Sequence, residues 1–308
     1  MSRAAQILQR RAEILKLARI LERDPDELAY LEAVSLDALQ ALREQTTEVL
    51  WSANGATLSR LAAASKLLPS ALTATIAQRA FGPLLVARMT GLLEPSRAVE
   101  IATKLPTGFL ADVAVELDPR RASSVLELIA PEQVEAVTRE LVRRREHVTM
   151  GRFVGHLGDA ALKAALGVMD NETLLQVGFV LEDKARLERL ISLLPKARLT
   201  GIILAAAPAN LWLEALDLLG HLSVPRQNEI VAGTLELGPT AREDMVAAVV
   251  EHELWEEVVV IAQRDPTLQG KLAQRLSALP ARQRKALTRR LQADGGIERL
   301  GVLGQALA

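Results

Sequence analysis

Residues 93–141 read LEPSRAVEIATKLPTGFLADVAVELDPRRASSVLELIAPEQVEAVTREL. Within this stretch an apolar residue recurs at every twelfth position, and a proline follows each of the first four within two residues. A proline ends one helix and is tolerated in the first turn of the next. The stretch therefore predicts a series of short helices, each ending near one of the recurring residues, which are Leu93, Leu105, Leu117, Ile129 and Leu141.

The same spacing continues beyond Leu141 after an interruption of four residues. It resumes at Leu157, Met169, Leu181 and Leu193, and then drifts by one residue to Ala206 and Leu218. A helix of two to three turns is not stable alone, because nucleation is costly and its apolar face is small. Stacked neighbours bury one another's faces, so the pattern predicts an α-solenoid of short helical repeats. A compact bundle of evenly sized helices is the alternative interpretation.

Two segments within this region carry a resemblance to known proteins. Residues 105–141 and 157–199 contain variants of the phrase L-x-x-L-D-P-x-x-A-x-x-L-x-x-L. In this they resemble the cytosolic N domain of MgtE-type magnesium transporters and the related helical repeats of the flagellar switch protein FliG. The resemblance covers about residues 92–220 and includes neither CBS domains nor a membrane pore. It implies a helical-repeat fold and a role in interactions.

The overall composition agrees with a helical protein. Hydrophobic residues make up 49% of the 308 residues but aromatic residues only 3%, so the apolar content is mainly that of good helix formers. The absence of cysteine excludes disulfides, cysteine-ligated zinc and thiol catalysis. No uninterrupted apolar run is long enough for a membrane span, and the net charge is only −1. We therefore expect an all-α cytoplasmic protein that does not bind nucleic acid.

The chain divides into three predicted parts. Residues 1–80 form an N-terminal helical cap, residues 81–220 the repeats, and residues 221–308 a C-terminal helical region. In the first part, Asp24-Pro25 ends one helix and begins another. These leading helices either cap the repeats or form a dimeric coiled coil.

Charge is segregated in the C-terminal part. Residues 236–257 are mainly acidic, and residues 271–290 carry seven basic residues and no acidic one. The two segments either pair within one chain, pair between two copies, or expose separate solvated faces. For a partner-binding surface we single out Arg284, Lys285, Arg289 and Arg290 in the basic segment.

A second candidate for partner binding fills the interruption of the repeat. Arg143, Arg144, Arg145 and His147 lie there, and guanidinium groups recognise carboxylates and phosphates through paired hydrogen bonds. An extended helix with a solvated basic face is the alternative. If these residues bind a partner, replacing the three arginines by alanine weakens that binding without unfolding the protein.

An apolar cleft is the candidate site for a small ligand. Phe81, Met89, Phe109 and Phe153 belong to strongly apolar segments, and we predict that they line a cleft between the N-terminal helices and the first repeats. Ordinary core packing is the alternative for the same residues.

The sequence contains no phosphate-binding glycine loop and no nucleophile elbow. His252 and Glu256 lie one helical turn apart, but one such pair is typical of an exposed acidic helix rather than a metal site. We expect no enzymatic activity, metal or cofactor. The leading hypothesis is a protein-interaction or scaffold module that binds a partner or itself. The alternative is a regulatory protein that binds a small molecule or lipid.

Overall fold

The structure is a computed structural model. It describes residues 3–52, 55–181, 183–234, 238–252, 254–263, 265–293 and 302–305. Within these ranges the chain is helical and contains no β-strand, so the all-α prediction is confirmed. No helix in the described part is long and apolar enough to cross a membrane. The chain forms two compact units, one of Gln9–Asp183 and one of Met1–Leu8 with Lys184–Ala308.

The unit of residues 9–183 contains most of the predicted repeat. The first residues of α1 are assigned to the other unit and the rest of the helix to this one. The helices are α1 Arg3–Leu21, α2 Leu36–Ser52, α3 Gly55–Ser65, α4 Ser70–Ile76, α5 Gly82–Thr90, α6 Pro95–Ala102, α7 Thr107–Glu116, α8 Ser123–Leu126, α9 Pro131–Arg143, α10 His147–Phe153, α11 Asp159–Val168 and α12 Asn171–Phe179. A 3₁₀ helix, Pro25–Ala33, follows α1, and a π-helical segment, Ala77–Phe81, joins α4 to α5.

The other unit continues with helices of similar length. They are α13 Leu187–Leu193, α14 Lys196–Ala206, α15 Trp212–Gly220, α16 Val224–Thr234, α17 Pro239–His252, α18 Trp255–Ala262, α19 Pro266–Ala278 and α20 Ala281–Ala293, with a 3₁₀ turn at Lys184–Arg186 and a short helix at Val302–Gln305. The unit boundary lies inside the middle one of the three predicted parts. Those three parts therefore stay a prediction about sequence organisation.

Helix boundaries follow the predicted signals. Pro95 and Pro131 lie in the first turn of α6 and α9, and Asp170 caps α12 by accepting a hydrogen bond from the Thr173 amide at 2.7 Å. Every residue of the twelve-residue pattern lies within four residues of the end of a helix from α5 to α15. At the N-terminus, Asp24 accepts a hydrogen bond from the Asp26 amide, but the segment it begins is a 3₁₀ helix.

Alternate helices pack against each other. In the unit of residues 9–183, α3, α5, α7, α9 and α11 contact one another in series, as do α4, α6 and α8, and α10 packs on α12. In the other unit, α14, α16 and α18 form one series and α15, α17 and α19 another.

Ion pairs hold the first helices in the unit of residues 9–183. Glu13 of α1 is buried and pairs with buried Lys16 at 2.7 Å and with Arg43 of α2 at 2.8 Å. Burial by itself raises the pKa of the Glu13 carboxyl, but the two cations outweigh burial and leave the pKa below its ordinary value. Arg19 of α1 reaches Glu146 at 3.3 Å, so α1 is tied both to α2 and to the segment before α10.

Candidate functional site

The main cavity of the unit of residues 9–183 is an apolar space that extends from α3 to α11. Its volume is about 170 Å³. Seven consecutive residues of the twelve-residue pattern line it, and successive helices of the repeat contribute them: Leu93, Leu105, Leu117, Ile129, Leu141, Leu157 and Met169. The periodic residues of the sequence are thus the wall of one continuous cavity.

Few polar groups face this cavity, and among the described residues that line it none carries a charge. The hydroxyls of Ser65, Thr73 and Thr90 each donate a hydrogen bond to a backbone carbonyl three or four residues earlier, at 2.7 to 3.1 Å. The Gln133 amide nitrogen donates to the Ala102 carbonyl at 2.9 Å. Because these donors are occupied within the protein, an occupant of the cavity meets almost only hydrocarbon.

One polar atom in this region lacks a partner. The Gln133 side-chain oxygen is buried and has no hydrogen-bond partner. If the side-chain amide of Gln133 were flipped, its oxygen would face the Ala102 carbonyl oxygen, and two acceptors would meet. The hydrogen bond from the amide nitrogen to Ala102 therefore fixes the orientation of the Gln133 amide. Sequence reasoning did not identify Gln133, because a glutamine in the first turn of a helix is common on exposed surfaces.

The structure brings together three of the four residues predicted for an apolar cleft. Phe81, Met89 and Phe153 line the cavity, and Phe109 is not among the lining residues. The cavity also lies deeper in the repeat than predicted, because it extends to α11 rather than ending near the first repeats. Phe81 is the last residue of the π-helical segment, and Gly82 after it has a φ of 74°. This left-handed conformation, which glycine adopts without strain, turns the chain into α5.

The predicted basic site in the repeat interruption forms the end of α9. Arg143 is exposed and pairs with Glu140, with its Nε at 2.9 Å. Arg144 binds the same carboxylate and also contacts Asp112 and the Gly108 carbonyl of α7. Hydrogen bonds from these arginines lower the pKa of Glu140 to about 2. Arg144 therefore links α7 to α9, and replacing it is expected to weaken the contact between these two helices as well as to remove a basic group.

The next two predicted residues have different environments. Arg145 is exposed and has a φ of 58°. The amides of Arg145 and Glu146 bond the carbonyls of Val142 and Leu141, which is the pattern of a Schellman helix end. His147 is half-buried at the start of α10, and burial lowers the pKa of its imidazole.

The predicted basic surface of the C-terminal region lies on α20. Lys285 and Arg289 are exposed, and Arg284 is half-buried and donates to the Ser277 carbonyl at 3.2 Å. The side chain of Arg290 lies outside the described part of the structure. One contact joins the acidic segment to the basic one, from Lys271 of α19 to Glu243 of α17. Arg242 of α17 also binds Asp265, the residue before α19, at 2.9 Å, but this pair has the opposite arrangement of charges.

Sequence reasoning also missed a buried carboxyl group in the unit that contains α15. Asp217 is almost fully buried, and Lys184 lies 3.5 Å and His221 3.9 Å from its oxygens. Burial raises the pKa of the Asp217 carboxyl against the opposing effect of its neighbours, of which Lys184 is the stronger. The sequence signal is an aspartate four residues before a histidine, in a helix whose other charged residue is Glu214.

Among the described residues, no group of three or more histidine, aspartate or glutamate side chains is arranged to hold a metal ion. Of the predicted pair on the acidic helix, the side chain of Glu256 lies outside the described residues. None of the family models, curated proteins or solved structures with which the chain was compared matches it.

Proposed function

We propose that the unit of residues 9–183 binds a small apolar molecule, or the acyl chain of a lipid, in the cavity lined by the periodic residues. The observation that carries this proposal is that seven successive pattern positions face one space without a charged neighbour. In a protein core, side chains from opposite elements normally fill the space between them. The side chains at these seven positions instead surround an unfilled space of about 170 Å³. The role we propose is binding and regulation, without enzymatic activity or a cofactor.

The size and chemistry of the cavity support an apolar occupant. Cavities of about 150 Å³ lined by aliphatic and aromatic side chains stay dry and accept molecules such as benzene. An unfilled apolar space of this volume leaves its lining side chains without part of their packing contacts, which lowers stability. A ligand that fills the space restores part of that loss and binds the folded protein preferentially.

The proposed architecture is an α-solenoid in which paired series of helices enclose the cavity. The contacts between alternate helices support it, as does the coincidence of the twelve-residue pattern with helix ends. The resemblance of residues 92–220 to the N domain of MgtE-type transporters and to FliG repeats stays part of this proposal. We also propose a cytoplasmic location, on the basis of the sequence composition.

The test is to fill the cavity and to measure binding of toluene. Ala165 of α11 is buried and lines the cavity, whereas its neighbour Ala164 is half-buried and does not. We expect toluene to raise the melting temperature of the natural protein and of Ala164→Leu, and to have no effect on Ala165→Leu. Unchanged melting temperature of the natural protein with saturating toluene would rule out the proposal.

A second candidate function is binding of an acidic protein partner, or of a second copy, through α20. Arg282, Lys285 and Arg289 lie at helical positions i, i+3 and i+7, are all exposed, and make no ion pair among the described residues. If this surface binds, light scattering shows association that weakens as salt rises. Replacing the three residues by glutamine abolishes the association, and the same substitution of Arg139, which pairs with Glu135, leaves it unchanged.

A further inference from the structure

Another pocket of the unit of residues 9–183 is lined mainly by basic side chains. It has an outer part of about 110 Å³ and a smaller inner part of about 10 Å³, and Arg19, Asp118 and Arg152 line both. Its wall comes from α1, α2, α5, α7, α10 and the segment that follows α7. We call it the basic pocket, after the cations in its wall, which are Lys16, Arg19, Arg43, Arg88, Arg120 and Arg152.

The inner part of the basic pocket contains more cations than carboxylates. Five of the six cations line it, and Asp118, which binds Arg120 at 3.1 Å, is the one acidic residue among the described residues of its wall. Glu13 and Glu146 bond three of the cations from outside the wall, and the cations are still in the majority.

The outer part contains further acidic residues, but they lie at its edge. Glu22 and Glu116 are both exposed, so water screens their charges. Arg19, Arg88 and Arg152 are half-buried and are screened less. The positive charge therefore acts mainly inside the pocket, and the negative charge mainly at its edge.

Arg88 of α5 is the cation most available to a ligand. It lines the outer part, is half-buried, and makes no hydrogen bond or ion pair among the described residues. A half-buried guanidinium has lost part of its hydration, and the protein normally supplies hydrogen bonds in exchange. Around Arg88 the protein supplies apolar neighbours instead, since Ile20, Leu84 and Val115 line the same part of the pocket.

The buried carboxyl groups at the basic pocket respond to its positive charge. Burial raises the pKa of the Asp118 carboxyl, but Arg120 and the charge of Arg152 outweigh burial and leave the pKa below its ordinary value. The Glu13 carboxyl behind the wall shows the same balance. The pocket therefore favours negative charge, although the net charge of the whole chain is −1.

We propose that the basic pocket binds a phosphate monoester, with the phosphate among the arginines and the organic group against Ile20, Leu84 and Val115. Guanidinium groups bind phosphate through paired hydrogen bonds, and a phosphate monoester carries nearly two negative charges on three acceptor oxygens. Cations from separate helices reach such a group from several sides, whereas the two oxygens of a carboxylate lie in one plane. The described wall of this pocket shares no residue with that of the apolar cavity, so the proposal does not depend on the proposed function.

The experiment is isothermal titration of the full-length protein with phenyl phosphate and with inorganic phosphate, at about pH 8, where both are mainly dianions. The test variant is Arg88→Gln. The matched control is Arg60→Gln, which removes the same charge from an exposed position on α3 where the arginine also makes no ion pair among the described residues. Circular dichroism confirms that both variants keep the helical fold.

We expect the natural protein and Arg60→Gln to bind phenyl phosphate equally within about twofold, and Arg88→Gln to bind it at least about tenfold more weakly. Binding is also expected to weaken as sodium chloride is added. Inorganic phosphate is expected to bind more weakly than phenyl phosphate, because it makes no contact with the apolar part of the wall.

Four results would overturn the proposal. The first two are failure of the natural protein to bind phenyl phosphate, and an equal loss of binding in Arg88→Gln and Arg60→Gln. The third is loss of phenyl phosphate binding in Ala165→Leu, which would place the ligand in the apolar cavity. The fourth is equal affinity for the two probes, which would assign the pocket to free phosphate rather than to a monoester.

Discussion

At the scale of single residues, Arg145 shows how a local backbone requirement limits a functional interpretation. Its positive φ belongs to the helix end after α9, where glycine is the preferred residue. Asn210 and Glu22 have the same conformation after α14 and α1. Sequence reasoning interpreted Arg145 by its charge alone, because an arginine gives no signal of a left-handed conformation.

We predict that Arg145→Gly raises the free energy of unfolding by about 1 kcal/mol, because glycine adopts the left-handed region without steric strain. Arg145→Ala removes the same charge and keeps the strain, so it is expected to leave stability nearly unchanged. Urea denaturation with an unchanged slope measures both. Equal stabilisation by both substitutions would show that the charge, and not the backbone conformation, limits stability.

A second residue-scale prediction concerns Glu13. In Glu13→Gln, buried Lys16 and Arg43 both lose the carboxylate that they share, so we expect a loss of about 3 kcal/mol. Glu44→Gln on the exposed side of α2 is the control and is expected to cost less than about 0.5 kcal/mol. Chemical denaturation compares the two variants, and a loss as small as the control's would mean that the buried cations find other partners or water.

At the scale of elements, the end of α9 carries a carboxylate with an unusually low pKa, Glu140, which pairs with Arg143 and Arg144 of the same helix end. The pKa of Glu140 is about 2 in the folded protein, against an ordinary value of 4.5. A lowered folded-state pKa contributes stability that is fully present above the unfolded value and is lost as pH falls through the folded one. We therefore expect part of the acid destabilisation between pH 4.5 and about 2 to come from Glu140.

The measurement is the pH dependence of unfolding for the natural protein and for Glu140→Gln. The variant is expected to be less stable near neutral pH and to lose less stability over that acid range. Glu135→Gln on the same helix, whose carboxylate makes one exposed pair with Arg139, is the control. Parallel curves for the natural protein and Glu140→Gln would contradict the assignment.

At the scale of the whole unit of residues 9–183, the cavity predicts a response to pressure. Pressure favours the state with the smaller volume. The unfolded state has the smaller volume, because unfolding eliminates internal voids. We expect the volume change of unfolding to be less negative for Ala165→Leu than for Ala164→Leu, as measured by high-pressure NMR. A volume change that is the same in both variants would indicate that the cavity is already filled by water.

From the sequence alone, many helix boundaries of this unit could be predicted, but few of the contacts between its side chains could. Pro95, Pro131 and Asp170 marked real helix starts, because proline and capping residues act locally. The pattern predicted helix ends near Leu93 through Met169 but not the cavity that they line, since periodicity identifies an inward face and cannot tell whether that face is filled. Gln133 and the pairing of Arg144 with Asp112 depend on contacts about thirty residues apart, which a single sequence does not reveal.

If the cavity binds an apolar chain as proposed, the arrangement of its wall limits how evolution could change that ligand. Because successive helices of the repeat supply its wall one pattern residue at a time, the length of the space is counted in whole repeats. Gain or loss of a helix pair by gene duplication or deletion would then alter the longest chain accommodated in discrete steps, whereas point substitutions adjust only its width. In a family built on this plan, the number of helical repeats would set the maximum length of the ligand.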